Sequence, residues 1–159
     1  GKDGRNNGKG ICGRLYKGDV TYLDIKRILP DLRHEEKGVL WKIKMTGENL
    51  IRALEYSLTV DNHKAGWFYY FSGLVMEYAP SFPQGSRIRK ITDIEGKPID
   101  KTRIYSVAVS DYSVDESLVL SCEKTDVSIF SIFEGALSIL HSISPSGDHR
   151  FKVYNEYKK

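Results

Sequence analysis

Between Gly66 and Tyr78 the chain places six aromatic residues in thirteen positions, Gly-Trp-Phe-Tyr-Tyr-Phe-Ser-Gly-Leu-Val-Met-Glu-Tyr, and follows them with Gly85-Ser86-Arg87-Ile88. Rings packed this densely with one carboxylate among them do not suit a solvated helix or an exposed loop, because their area has to be buried. The run predicts two core strands separated by a kink at Ser72-Gly73. A turn from Pro80 to Gly85 and a further strand from Ile88 to Ile94 follow, since glycine and proline mark where a strand-rich chain reverses.

A chain of 159 residues fits one domain, residues 1–159, able to bury about 70% of its unfolded surface without staples. With 40% hydrophobic and 28% charged residues it has an ordinary globular composition, and no apolar run approaches the roughly 20 residues of a membrane span. The net charge of +3 is spread thinly, which excludes a nucleic-acid footprint. It is locally dense only near the start, where Lys2, Arg5, Lys9, Arg14 and Lys17 face Asp3 alone and suit an anion. Cys12 and Cys122 match no metal or redox spacing, and their pairing stays open. A start without Met or an apolar leader suggests a processed protein or an excised domain.

The element pattern mixes helices and strands without βαβ repetition, which favours the α+β class. Thr21 suits the N-cap of a helix with Leu23, Ile25, Ile28 and Leu29 on one face, ended by Pro30. Val39 to Met45 alternates as a strand, and Thr46 caps a helix from Gly47 to Leu58 with Leu50, Ile51, Leu54 and Leu58 on one side. Ile88 to Ile94 and Ile104 to Val109, separated by Glu95-Gly96-Lys97-Pro98, are expected to pair as a hairpin or near neighbours. Val127, Ile129, Phe130, Phe133, Ala136, Leu137 and Leu140 predict a helix from about Asp126, closed by Ser144-Pro145-Ser146-Gly147.

Gly8-Lys9-Gly10-Ile11-Cys12-Gly13 matches the dinucleotide pattern, but no strand precedes it and Gly18 interrupts the helix that should follow. Closely spaced glycines that let backbone amides approach an anion are the better reading. His34, His63, His141 and His149 fall outside metal-ligand spacing of one another and read as surface residues. His149 beside Asp148, with Ser144 and Ser146 near, lacks a nucleophile elbow, so a free-standing hydrolase is the weakest reading. Asp111, Asp115 and Glu116 group around Tyr112 just after the strand ending at Val109; a solvated strand exit and a ligand loop both fit.

Taken in order, several stretches resemble the C-terminal domain of the 5'-nucleotidase and 2',3'-cyclic-nucleotide phosphodiesterase family. They are Asn7-Gly8-Lys9-Gly10-Ile11, Gly18-Asp19-Val20-Thr21-Tyr22-Leu23-Asp24-Ile25 with Ile28-Leu29-Pro30, and Lys44-Met45-Thr46-Gly47-Glu48-Asn49-Leu50. Gly66-Trp67-Phe68 to Ser72-Gly73-Leu74, Gly85-Ser86-Arg87-Ile88, Tyr105-Ser106-Val107-Ala108-Val109, and Ile143-Ser144-Pro145 to Gly147-Asp148-His149-Arg150 continue the match. The resemblance moves the aromatic run into the scaffold and implies a layered α/β/β/α fold.

It also implies a division of labour. A separate N-terminal metallophosphoesterase domain holds a divalent metal pair and does the chemistry, while this domain grips a nucleotide or nucleoside. The motifs of that catalytic domain are absent from this sequence, so no catalytic residue, metal ligand or cofactor is expected in the chain, and none of the metal hydroxide that makes water nucleophilic. The expected partners are the nucleotide and the N-terminal domain, in an extracytoplasmic protein. The resemblance implies substrate binding by Asn7, Gly8 and Gly10 on the phosphate side, by Asp111, and by Tyr112 as the ring that stacks on the base; Arg14, two residues beyond the family's arginine position, is the cation expected to reach the same anion. Three positions depart from the family pattern: Cys12 stands where an arginine pairs with phosphate, Asp31 where a ring follows Leu-Pro, and the Gly-Gly-Asp after Tyr112 is lost. These departures keep open a degenerate, non-catalytic module with a structural or protein-interaction role.

Overall fold

In a computed structural model, the described residues are 18–24, 38–59, 69, 71–110, 114–140, 142 and 150–153. They divide into two compact units, one within Gly1–Leu40 and Lys124–Ile143, the other within Trp41–Glu123 and Ser144–Lys159. Among the described residues six strands form two three-stranded sheets: β1 (Val39–Thr46), β4 (Ile104–Ser110) and β5 (Ser121–Ser128) in the order β4-β1-β5, and β2 (Leu74–Tyr78), β3 (Ile88–Asp93) and β6 (Phe151–Val153) in the order β3-β2-β6. With helices α1 (Gly47–Ser57) and α2 (Ile129–Leu140), this is the mixture of helix and sheet expected from the pattern.

In the second unit, β1 turns Ile43 and Met45 inward and Lys42 and Lys44 outward, the period-two alternation of a half-buried strand. Thr46 then stops the strand and starts α1: its backbone is extended, with φ −69° and ψ 157°, and its Oγ1 accepts from the Asn49 amide at 3.2 Å. That bond satisfies one of the orphan donors of the first helical turn. Leu50, Leu54 and Leu58 close over Ile43, Met45 and Met76 to form the core.

Tyr69, Phe71, Leu74 and Tyr78 from the aromatic run pack against this cluster, so these three rings serve as scaffold, as the resemblance implies; Trp67, Phe68 and Tyr70 lie outside the described residues. Gly73 makes the kink before β2 at φ 85°, a left-handed conformation that side chains resist. β3 pairs antiparallel with β2, Leu74 opposite Asp93, with a shift in register between Glu77 and Tyr78, and β6 pairs parallel with β2 from Met76 opposite Phe151. Arg150 staples β6 in place: its carbonyl accepts from the Met76 amide at 2.8 Å and its guanidinium donates to the Phe71 carbonyl at 2.9 Å.

The expected pairing of the Ile88 and Ile104 strands is not found, because β3 and β4 belong to different sheets. After the turn at Ile94–Gly96 the chain returns only far enough for a single bridge between Thr92 and Pro98 and for the Ile99 amide to donate to the Ile91 carbonyl. The next residues are held by α1 instead: the Gly47 amide donates to the Arg103 carbonyl at 2.9 Å and the Glu48 amide to the Lys101 carbonyl at 3.0 Å. The helix N-terminus, which needs acceptors for its free amides, captures the loop and carries the chain away from β3.

In the first unit, Tyr22–Asp24 is helical and Thr21 is its cap. The Asp24 amide donates to Thr21 Oγ1 at 3.3 Å, and the Thr21 amide donates back to the Asp24 carboxylate at 3.0 Å, a reciprocal capping box. The late helix starts at Ile129 and not near Asp126. Asp126, Val127 and Ser128 finish β5, held by the Thr125 hydroxyl donating to the Leu40 carbonyl at 2.7 Å. Ser128 caps α2 through its Oγ, which accepts from the Phe130 amide at 3.1 Å.

Candidate functional site

Asn7, Gly8, Gly10, Arg14, Asp111 and Tyr112 all lie outside the described residues, as do Cys12, Asp31 and His149. What the structure describes is the frame on both sides of the segment that carries Asp111 and Tyr112. On one side β4 delivers the chain to Ser110. On the other, Asp115 caps a single 3-10 turn, Glu116–Leu118, by accepting from the Ser117 amide at 2.9 Å.

That turn is bound to α1, since the Asn49 side chain donates to the Leu118 carbonyl at 2.9 Å while Leu118 itself is buried. One short run, Thr46-Gly47-Glu48-Asn49, therefore caps α1, holds the 101–103 loop and anchors the turn after Tyr112. Asp115 sits well placed to stay ionised. Hydrogen bonds from Ser117 lower its carboxyl below the ordinary value and the Arg52 guanidinium lowers it further. Half-buried Tyr69 faces the same corner: burial pushes its hydroxyl above the usual value, and Tyr56 and Asp115 push it the same way. A neutral phenol, an ionised carboxylate and a guanidinium thus lie beside the exit of the 111–113 segment, groups suited to hydrogen-bonding a polar ligand.

The second feature is a groove of about 550 Å³ between α1 and β3, within the size range of ligand sites. From α1 it takes Glu48, Ile51, Arg52, Glu55 and Tyr56, a spacing that puts all five on one helical face. Ser86, Ile88, Arg89 and Ile91 face them, and Lys101 joins from the loop bound to the start of the helix.

Glu55 is not a free carboxylate in this groove. It is buried, and its two oxygens accept from the backbone amides of Arg87 at 3.2 Å and Ile88 at 2.6 Å. Arg87 answers by donating its guanidinium to the Phe82 carbonyl at 3.1 Å and to the carbonyl of Leu58, the C-cap of α1. The Gly85-Ser86-Arg87-Ile88 motif is therefore a clasp between the end of α1 and the start of β3. Gly85 takes φ 84° to make the turn, and each partner satisfies groups that would otherwise be left unpaired.

Sequence reasoning missed the groove. Its signal was present in the polar face of α1, with Glu48, Arg52 and Tyr56 at helical spacing, but a polar helical face ordinarily reads as solvated surface. Among the described residues no three His, Cys, Asp or Glu side chains converge to hold a metal, and no helix is long and apolar enough to cross a membrane. Cys122 is an exposed free thiol.

Comparison with known proteins places this frame. The family model for the 5'-nucleotidase C-terminal domain matches residues 4–118. A 5'-nucleotidase precursor from Thermus thermophilus is 25% identical with a TM-score of 0.78, covering 94% of this chain and 31% of its own. The NAD nucleotidase of Haemophilus influenzae is 19% identical with a TM-score of 0.67, over 87% of this chain and 27% of its own. A sulfate thiohydrolase from Thermus thermophilus shares the fold at 20% identity and a TM-score of 0.55, over 78% of this chain and 24% of its own. This chain thus spans less than a third of each of these proteins. A search of curated proteins finds no match.

Proposed function

Since the chain belongs to the 5'-nucleotidase C-terminal domain family, we propose that it is the nucleotide- or nucleoside-recognition domain of a 5'-nucleotidase-like phosphohydrolase. In this reading catalysis comes from a separate N-terminal domain carrying a divalent metal pair, outside this sequence. Tyr112 stacks on the base, Asp111 and the framing Asp115 corner hydrogen-bond the sugar or base edge, and Asn7 with the Gly8 and Gly10 amides lines the phosphate side. Arg14 supplies the charge that Cys12 does not. An extracytoplasmic location goes with this reading.

The observation that supports it best is the anchored turn that follows residues 111–113: Asp115 caps it, and the Asn49 side chain holds its Leu118 carbonyl. Stacking on an aromatic ring contributes about 1–3 kcal/mol per base. Tyr112→Ala is therefore expected to weaken AMP or adenosine binding by roughly five- to a hundred-fold, measured by NMR titration of the full chain. No perturbation of the wild-type spectrum up to millimolar ligand sinks the reading.

A second reading has its own support in the departures at Cys12, Asp31 and the lost Gly-Gly-Asp, which alter ligand-facing positions while the scaffold motifs stay. In that case the domain is a non-catalytic module that contacts protein, and the wild-type chain binds neither adenosine nor AMP.

A further inference from the structure

We propose that the groove between α1 and β3 docks an extended acidic peptide segment of a partner protein. Arg52, which also acts on Asp115, is the one residue shared with the nucleotide reading, and the variants of the test leave it unchanged, so either can fail alone.

Charge carries the argument. Arg52, Arg89, Lys90 and Lys101 all line the groove and all are exposed. Arg89, Lys90 and Lys101 form no ion pair among the described residues; the one carboxylate across the strand from Lys90, Glu77, lies 3.9 Å from the Lys152 ammonium. Of the two acids in the groove, Glu55 is buried and spent on the Arg87 and Ile88 amides, leaving Glu48. The groove is consequently cationic although the chain as a whole carries only +3.

The arrangement selects a peptide. The cations come from three different elements, α1, β3 and the loop after Ile99, and they flank the half-buried Ile51, Ile88 and Ile91. An extended segment with alternating acidic and apolar side chains meets both features, its side chains pointing alternately to rim and floor. Arg89 is preorganised for it, since its guanidinium lies 4.4 Å from the centroid of the Phe82 ring, a cation–π contact that fixes the fork. A single-stranded nucleic acid would need a row of stacking rings, and Tyr56 is the one ring lining the groove among the described residues.

The test uses the full chain and a fluorescein-labelled hexapeptide of alternating glutamate and leucine, followed by fluorescence anisotropy. Binding is expected, with an affinity that falls as salt rises. Lys90→Glu combined with Lys101→Glu, which leaves the Arg89–Phe82 contact untouched, should weaken it at least about fivefold. Arg89→Glu combined with Lys101→Glu should weaken it further, with circular dichroism unchanged. The proposal is overturned by no binding up to millimolar peptide, by wild-type affinity in both double variants, or by equal affinity for the glutamine-for-glutamate peptide. Tighter binding of single-stranded polyuridylate than of the peptide at the same site also overturns it.

Discussion

Gly47 offers a test of the tertiary structure in which the sign of the effect is diagnostic. As the first residue of an amphipathic helix it should welcome alanine, a change that favours an isolated helix by up to about 1 kcal/mol. In the folded protein a Cβ there would sit 2.1 Å from the Asp100 carbonyl oxygen, 2.9 Å from its carbon and 3.1 Å from Ile99 Cγ2. The nearest atoms are backbone and cannot rotate aside, so the loop must retreat by about 1 Å or more to restore ordinary contact. Retreat stretches the bonds from the Gly47 and Glu48 amides to the Arg103 and Lys101 carbonyls, about 1 kcal/mol each, and overpacking adds about 1–3 kcal/mol. Gly47→Ala is therefore expected to destabilise the protein by a net 2 to 4 kcal/mol, roughly. Urea denaturation followed by circular dichroism reads this as a midpoint lowered by about 1–2 M at unchanged slope. Gly135→Ala supplies the control: that glycine is inside α2, and a Cβ added to it would meet nothing within 4 Å, so the same substitution should stabilise by up to about 1 kcal/mol. A Gly47→Ala protein as stable as wild type would refute the docking of the loop on α1.

Two further outcomes follow from the same frame. Glu55→Gln leaves one acceptor oxygen and a misplaced NH2 facing the Arg87 and Ile88 amides, so it should cost about 1–3 kcal/mol; hydrogen exchange at the Ile88 amide should accelerate, and unchanged protection would show that the clasp is dispensable. Asp100 and Asp115 are both held below their ordinary value of 3.8, Asp100 chiefly by hydrogen bonds from Thr102 and Asp115 chiefly by those from Ser117. A depressed carboxyl contributes stability that is fully present above the unfolded value and lost as pH falls through the folded one. The urea midpoint should thus decline as pH drops below 3.8, and Asp115→Asn, which keeps a capping oxygen but does not titrate, should flatten that decline. An acid arm unchanged in Asp115→Asn would remove the carboxylate from the account.

The legibility of the candidate site differs from that of its frame. Tyr112 and Asp111 stand out in the sequence by their place after an apolar strand and by family resemblance, and they fall outside the described residues. The frame around them depends on Asn49 reaching Leu118 across 69 positions of sequence, a contact that no local pattern encodes. The clasp of Glu55 and Arg87 is equally silent in sequence. An acid among helical leucines and an arginine after a turn both read as surface charges, and only burial shows that each is spent on backbone groups of the other's element.

Local chemistry is legible along the chain. Thr21 and Thr46 cap where their hydroxyls reach the third amide on, Gly73, Gly85 and Gly96 take positive φ at the expected turns, and the alternation of β1 and the leucines of α1 select the core face. Legibility fails where the competing interaction is distant. β3 and β4 part company because the free amides of α1 seize the intervening loop. β5 leaves no pattern in the sequence because Ser121–Ser128 runs along a sheet edge with residues of both faces largely exposed, so nothing imposes alternation on it. The aromatic run shows the same division: its rings require a core, but long-range packing selects the α1 cluster as the surface that Tyr69, Phe71 and Tyr78 meet. Hydrophobic burial is specified residue by residue, whereas the partner is chosen by which unsatisfied backbone groups the assembled fold brings within reach.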